Sequence, residues 1–309
     1  MYRDKNVDIV ATDCDKTLYK ITKDNGFDTL DNMYLVLLDS CLIYDYLLKN
    51  KDTLFKEKFK NIDENDLAEL EKIFNGNQQN AENFVKTYMN NPNDRCKKLF
   101  NILRSISMGM AREYENIMNN ADVTMEEWEK KFKTSTKLMK ELFRGKIEIN
   151  DEVFDFLLKE KRSRDENNTI LLILTDNIKE NAIGALECAG YKVTKENQEN
   201  KYKIVNPKSG EEISFFLFSK FYRQNDQDKL NMALRKRMDG AFDEFYNRLK
   251  ETFTMKSIKK FIFLDDSSSA LNNMNMELKN KYENLIKSYK LIQVLYDDNL
   301  STTLKTLDK

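Results

Sequence analysis

The sequence of 309 residues contains no histidine, and this absence restricts the available chemistry. Ser-His-Asp catalysis, Cys-His catalysis and histidine-ligated zinc are excluded, so acid–base steps must use Asp, Glu, Lys, Tyr or Cys. Only two prolines and eight glycines are present, which favours a mostly helical chain with few turn-rich β regions. The length and the 40% share of hydrophobic residues allow a sizeable core or two domains.

Three further shortages concern partners and compartment. The formal net charge is only -1, so no basic field points to nucleic acid. The four cysteines include no Cys-x-x-Cys pair, which favours reduced thiols over zinc or disulfides. No apolar run could span a membrane, and no signal peptide precedes the first predicted strand. We therefore expect a cytoplasmic protein, although the Lys/Asn/Glu-rich composition and polar tail would also suit a secreted bacterial effector.

The most informative feature present is a pair of aspartates directly after an apolar segment. Residues 7–12 predict a short buried strand, and Asp13, Asp15 and Thr17 follow it. Carboxylates at the carboxyl end of a strand lie where parallel α/β sheets place their chemistry. Two carboxylates this close repel each other and are usually stabilised by a cation or a shared proton. The pattern indicates a divalent metal with a phosphate-like ligand.

The periodicity from 28 to 148 is helical almost throughout. A structureless loop of that length is implausible in a compact domain, so we interpret residues 23–148 as a helical cap. The last dozen residues are polar and are predicted to be frayed. The other predicted elements are strands at 169–174, 260–264 and 290–296, a hairpin over 201–218, and helices over 151–161, 177–189, 227–255 and 268–287.

The predicted fold class is therefore α/β. Residues 1–22 and 149–309 would form a Rossmann-like core with a parallel sheet, interrupted by a large all-helical cap domain. Polar residues end the later core strands as well: Thr175 follows one, and Asp265 and Asp266 follow another. If these strands are parallel neighbours, their ends converge on one crevice with Asp13. Carboxylates, a hydroxyl and a nearby lysine would suit a phosphoryl group and its metal.

At these segments the chain resembles the haloacid dehalogenase superfamily, specifically its aspartate-nucleophile phosphatases. The family's first motif, DxDx(T/V), corresponds to residues 13–17, its second to the apolar strand ending in Thr175, and its fourth to residues 263–266. The third motif is a lysine, matched either by Lys229 at the start of a predicted helix or by Lys220 after the preceding strand. The resemblance covers residues 1–22 and 150–300 and leaves out the insertion, whose position matches the family's first cap type.

The resemblance implies a role for each acid. Asp13 would attack phosphorus and form an aspartyl-phosphate. Asp15 would protonate the leaving oxygen and then help to activate water. Mg²⁺ would be bound by Asp13, the backbone carbonyl of Asp15, and Asp265 or Asp266. Family members that break carbon–halogen bonds lack an acid at the position of Asp15, so a phosphatase is favoured over a dehalogenase, with a phosphomutase as the lesser option.

The resemblance also implies that Thr175 and backbone N–H groups hold the phosphoryl oxygens, and that Lys229 or Lys220 neutralises charge. Other interpretations of these residues stay open. Thr175 and Asn177 could cap the next helix, and Tyr19 could touch substrate or only pack. An Asp-x-Asp pair also occurs in metal-dependent glycosyltransferases. The cationic residues of the insertion that could reach substrate or lie on a solvated helix face are Arg95, Lys98, Arg104 and Arg112.

The leading hypothesis is a Mg²⁺-dependent phosphomonoesterase that acts on a small phosphorylated metabolite, because a large cap would close over the site. A protein phosphotyrosine phosphatase with the insertion as a docking surface is the alternative. A non-catalytic scaffold with an interaction cap is a third possibility, against which the clustered carboxylates argue.

Overall fold

The computed structural model describes residues 5–22, 63–74, 83–84, 86–88, 93–110, 140, 144–164, 168–177, 179–219, 221–223, 230–232 and 240–307. The chain divides into two compact units. One comprises Met1–Lys23, Gly145–Tyr222 and Met232–Lys309, and the other comprises Asp24–Arg144 and Arg223–Asn231. The sequence prediction had assigned all of 149–309 to the core, so the grouping of Arg223–Asn231 with the second unit differs from it.

The elements of the described residues are numbered here in chain order. The strands are β1 (Asn6–Thr12), β2 (Tyr19–Ile21), β3 (Ile147–Ile149), β4 (Thr169–Leu174), β5 (Lys192–Lys195), β6 (Lys201–Val205), β7 (Glu212–Phe218), β8 (Phe221–Arg223), β9 (Leu230–Met232), β10 (Ser257–Asp265), β11 (Ile286–Tyr296) and β12 (Thr302–Thr306). The helices are α1 (Glu64–Phe74), α2 (Asp94–Met110), α3 (Asp151–Arg162), α4 (Lys179–Ala189), α5 (Ala241–Phe253) and α6 (Ser268–Lys281).

The first unit contains an eight-stranded sheet in the order β12-β11-β10-β1-β4-β7-β6-β5. The five central strands, from β11 to β7, pair in parallel, whereas β12, β6 and β5 pair with their neighbours antiparallel. Two small sheets, β2-β3 and β8-β9, complete the described strands. The predicted α/β class is confirmed at this level: a large, mostly parallel sheet with helices, consistent with a Rossmann-like core.

The central strands form where the sequence is continuously apolar. In β4 and β10 both faces are covered, so consecutive residues such as Phe261, Ile262 and Phe263 are fully buried. Helix α5 packs Phe242 and Phe245 against Phe261, with ring centroids 5.4 and 5.7 Å apart. This aromatic packing fixes β10, whose carboxyl end carries Asp265.

Helix α5 is anchored at its start by a carboxylate of α6. The buried Glu277 accepts hydrogen bonds from the backbone N–H groups of Gly240, Phe242 and Asp243, at 2.9, 3.0 and 3.3 Å. A negative charge satisfies N–H groups that have no partner within the helix and complements its dipole. Asp243 in turn pairs with Lys281, whose hydrogen bond lowers the pKa of Asp243. Two ends of neighbouring helices are thereby joined.

Several predicted elements are confirmed. The strands at 7–12, 169–174 and 260–264 correspond to β1, β4 and β10, and the hairpin over 201–218 corresponds to β6 and β7, which pair with Val205 opposite Glu212. The helices predicted at 151–161 and 177–189 correspond to α3 and α4. The second ends before Gly190, as expected, where a φ of +112° favours a residue without Cβ.

Other predictions are wrong. A single helix was predicted over 227–255, but Leu230–Met232 within this range is a strand paired with β8. Helix α5 begins only after Gly240, whose φ is +86°. The final dozen residues include β12, which pairs antiparallel with β11. An edge strand buries little of its surface, so polar residues can form it and the apolar signal of a strand is missing. Strands β2, β3 and β5 were also not predicted from the sequence.

The second unit includes α1 and α2. Asp66 on α1 forms ion pairs with Arg95 and Lys98 on α2, and Arg95 also pairs with Glu69. Two of the cationic residues considered for substrate binding are thus engaged within this unit, while the side chains of Arg104 and Arg112 lie outside the described residues. An all-helical cap stays a prediction, since much of 23–148 is not described. Among the helices that are described, none is long and apolar enough to cross a membrane.

Candidate active site

The centre of the parallel sheet brings three polar strand ends together. β1 lies between β10 and β4, with Thr12 opposite both Leu264 and Ile173. The next residue, Asp13, donates its backbone N–H to Leu264 at 2.8 Å and therefore lies beside Asp265. Thr175 follows β4 at the same edge. The convergence that the sequence predicted for these residues follows from parallel pairing in register.

A carboxylate cluster forms at this edge from Asp13, Asp265 and Asp266. One carboxylate oxygen of each residue lies within 4.8 Å of the others. Asp13 and Asp265 are only 5% and 1% exposed, and Asp266 is half-buried. Three carboxylates this close repel one another unless a cation or a proton intervenes. Hard oxygen donors in this number are the ligands that Mg²⁺ and Ca²⁺ prefer, so the cluster could hold such an ion.

Asp15 has different surroundings from Asp13. Its carboxylate accepts a hydrogen bond from the Tyr19 hydroxyl at 2.9 Å and one from the Asn177 side-chain amide at 3.5 Å. Both donors are buried and neutral, and they come from β2 and from the turn before α4. Asp13 and Asp15, separated only by Cys14, therefore have different surroundings. Asp13 belongs to the carboxylate cluster, while Asp15 is oriented by amide and phenol groups.

The turn that follows Asp15 is tight. The N–H groups of Thr17 and Leu18 both donate to the carbonyl of Cys14, at 3.4 and 3.1 Å, and Lys16 has a φ of +56°. The left-handed conformation at a residue with a Cβ costs about 1 kcal/mol and persists only where the surroundings enforce it. The turn directs the chain from β1 toward β2 and sets the position of Asp15.

Thr175 is fully buried, and its hydroxyl accepts a hydrogen bond from the backbone N–H of Asn177 at 3.2 Å. This contact fits the local, turn-stabilising interpretation. The Thr175 hydroxyl can still donate a hydrogen bond, since accepting one leaves its own proton available. Tyr19, for which packing or substrate contact was expected, is buried and donates its hydroxyl to Asp15.

Both lysines considered for the site, Lys220 and Lys229, lie outside the described residues. The match of Lys229 to the third motif depended on its place at the start of a predicted helix. Leu230–Met232 is strand β9, so that support for Lys229 is lost and the choice between the two lysines stays open.

Sequence reasoning missed the residues that surround the turn at 16–18. Asn150, Tyr191 and Tyr296 contact its carbonyl groups, and each is far away in the chain. Burial raises the pKa of Tyr191, and burial together with the charge of Asp266 raises the pKa of Tyr296. Both phenols therefore stay protonated donors near neutral pH. No pattern in the sequence singles them out, because an isolated Asn or Tyr beside an apolar segment is common.

The chain matches no protein-family model, no curated protein and no solved structure. The resemblance to the haloacid dehalogenase superfamily rests on the motifs and on their order along the chain.

Proposed function

We propose that this protein is a divalent-metal-dependent phosphomonoesterase in which Asp13 is the nucleophile. The observation that carries the proposal is the unequal environment of the two neighbouring aspartates. Asp13 shares a carboxylate cluster with Asp265 and Asp266, whereas Asp15 is held by Tyr19 and Asn177. A phosphatase that acts through a covalent intermediate needs both kinds of carboxylate, one as nucleophile and the other as acid and base.

The chemistry would have two steps. A carboxylate oxygen of Asp13 attacks phosphorus, the bond from phosphorus to the leaving oxygen breaks, and that oxygen takes a proton from Asp15. Water then attacks the aspartyl-phosphate and gives its proton to Asp15. The bond between phosphorus and Asp13 breaks, and inorganic phosphate leaves. Neither step requires histidine, in agreement with its absence from the chain.

Mg²⁺ is the ion we propose for the carboxylate cluster, held by Asp13, Asp265 and Asp266, with the backbone carbonyl of Asp15 as the further ligand that the family resemblance implies. When bound, it would supply positive charge beside the nucleophile and the phosphoryl oxygens. Thr175 and one of the two candidate lysines would add a hydrogen bond and a further positive charge. The substrate class we propose is a small phosphorylated metabolite, with a phosphotyrosine protein as the alternative.

The test is hydrolysis of an aryl phosphate by the wild-type chain with Mg²⁺, by the same chain with EDTA, and by Asp13→Asn. We expect activity only in the first case, together with acid-stable labelling of the wild type by ³²P that Asp13→Asn lacks. Asp298→Asn is the matched control, because it neutralises an exposed aspartate after the parallel strand β11 and should leave activity unchanged. Activity that survives EDTA or Asp13→Asn would refute the mechanism. Absence of activity on every phosphomonoester would favour a scaffold.

A panel of phosphorylated metabolites and phosphotyrosine peptides then addresses the substrate. Higher kcat/KM for metabolites is expected. Preference for the peptides would replace the metabolite proposal with the phosphotyrosine alternative while leaving the mechanism intact.

A further inference from the structure

The backbone carbonyls of residues 16–18 are each bound by a side chain from a distant part of the chain. These residues form the turn immediately after Asp15. The donors are the Tyr296 hydroxyl to the carbonyl of Lys16, the Asn150 amide to that of Thr17 at 2.9 Å, and the Tyr191 hydroxyl to that of Leu18 at 2.9 Å. Three consecutive carbonyls held from outside leave the turn little freedom to rotate.

Asn150 is the centre of this arrangement. It is fully buried between β3 and α3, and its backbone N–H also donates to the carbonyl of Leu18 at 3.1 Å. Its amide nitrogen donates to the Tyr296 hydroxyl at 3.1 Å as well as to the turn, and its amide oxygen accepts from the Thr302 hydroxyl at 2.9 Å. A buried amide with all its groups bound in this way has one orientation available.

The network connects the turn to the edge of the sheet. Tyr296 is the last residue of β11, and Thr302 is the first residue of β12, where the two form a cross-strand pair. The left-handed conformation of Lys16 needs surrounding contacts to persist, and these are contacts of that kind. The polar edge strand β12 therefore contributes to the position of the turn, although it lies three strands away from β1.

We propose that Asn150, Tyr296 and Thr302, which we term the turn anchor, are positioning residues that hold the 16–18 backbone and thereby aim the Asp15 carboxyl group for proton transfer. The role in proton transfer rests on the proposed function. The role in holding the turn does not. None of the three residues needs to touch substrate.

The first test measures the turn itself by amide hydrogen exchange of residues 14–18. Tyr296→Phe and Thr302→Val each remove one hydroxyl at nearly constant volume. We expect exchange in this segment to accelerate by about fivefold or more, since each variant loses at least one hydrogen bond. Matched controls are Tyr289→Phe on β11, which loses a hydrogen bond to Asn275, and Thr306→Val on β12, and both should exchange in this segment like the wild type.

The second test measures kcat/KM for two substrates that differ in their need for a general acid. An alkyl phosphate requires protonation of its leaving oxygen, whereas a dinitrophenyl phosphate leaves without it. For Tyr296→Phe and Thr302→Val we expect a loss of about tenfold on the alkyl phosphate and of less than about twofold on the dinitrophenyl phosphate. Damage to the fold in general would lower both values by the same factor, as would damage to the nucleophile.

The outcomes separate the two proposals. Unchanged exchange at 14–18 in both anchor variants overturns the turn anchor, whatever the activity. Faster exchange with equal losses on the two substrates overturns its link to Asp15. A wild-type chain inactive on both substrates refutes the phosphatase and with it the link to proton transfer, while the exchange measurement still decides whether the turn is held.

Discussion

Neutralising one member of the carboxylate cluster should make the metal-free protein more stable. The change we consider is Asp265→Asn, because the residue is 1% exposed and its side chain is nearly isosteric with asparagine. Asparagine keeps the oxygen that accepts the backbone N–H of Ser267, a bond of 2.8 Å in the native chain. The new amide group can donate to the carboxylates of Asp13 and Asp266. The substitution thus removes repulsion and keeps the acceptor of the Ser267 N–H.

The magnitude follows from the geometry. Two like charges at the 4.8 Å limit of the cluster repel by roughly 3.5 kcal/mol at an effective dielectric constant of about 20. Neutralising one of three carboxylates removes two of the three pairwise repulsions. Solvent around the half-buried Asp266 screens its charge and reduces this total. We expect a gain of about 2 kcal/mol in the free energy of unfolding when no metal is present.

The assay is urea unfolding followed by circular dichroism, in EDTA and in millimolar Mg²⁺. The wild type should shift to higher urea with Mg²⁺, since an ion that binds only the native state stabilises it by about 2.7 kcal/mol at one hundred times its dissociation constant. The urea midpoint of Asp265→Asn should exceed that of the wild type in EDTA, and it should rise little when Mg²⁺ is added. The control Asp298→Asn, at an exposed position, should follow the wild type in both conditions.

A lower midpoint for Asp265→Asn than for the wild type in EDTA would show that repulsion does not dominate the cluster. An equal response of the two proteins to Mg²⁺ would exclude Asp265 as a ligand. Either result would contradict the reasoning from the cluster geometry.

Three further substitutions in the first unit test other contacts of the structure. Tyr19→Phe removes a hydrogen bond to the Asp15 carboxylate, and kcat/KM for alkyl phosphates should fall by about tenfold or more with little change in the unfolding midpoint. An unchanged rate would mean that Tyr19 does not orient Asp15. Glu277→Gln weakens an acceptor of three backbone N–H groups at the start of α5 and should lower the free energy of unfolding by about 1–2 kcal/mol, measured in urea. The hydrogen bond from Lys281 lowers the pKa of Asp243, so its stabilisation is present above the ordinary carboxyl pKa and is lost as pH falls through the lowered value. Asp243→Asn should therefore flatten the decline in stability on acidification, and a decline identical to that of the wild type would contradict this assignment.

Apolar runs made the central strands predictable. A strand covered on both faces needs consecutive hydrophobic residues, and β4 and β10 have them. The strands β12, β2 and β3 lack that pattern because each is short and pairs on a partly exposed edge or in a two-stranded sheet. The helix predicted over 227–255 failed for a related reason, since side-chain periodicity gave no warning of the strand at Leu230–Met232.

The candidate site was predictable to a similar extent. Parallel strands end at one edge, so acids directly after β1 and β10 had to lie close together once those strands were neighbours. The partners of Asp15 could not be derived in this way. Tyr19 and Asn177 stand in the sequence as an aromatic residue and a cap candidate, and only the course of the turn brings them to the same carboxylate.

The sequence alone determined the class of core, the three acids of the cluster and the exclusion of histidine chemistry, because burial and strand direction impose local patterns on the chain. Tertiary structure decided which side chains hold the turn at 16–18. The contact of Tyr296 with Lys16 spans 280 residues of sequence, and that of Thr302 with Asn150 spans 152. A hydrogen bond between distant side chains requires only that donor and acceptor meet in the fold, and it leaves no periodic pattern in the sequence.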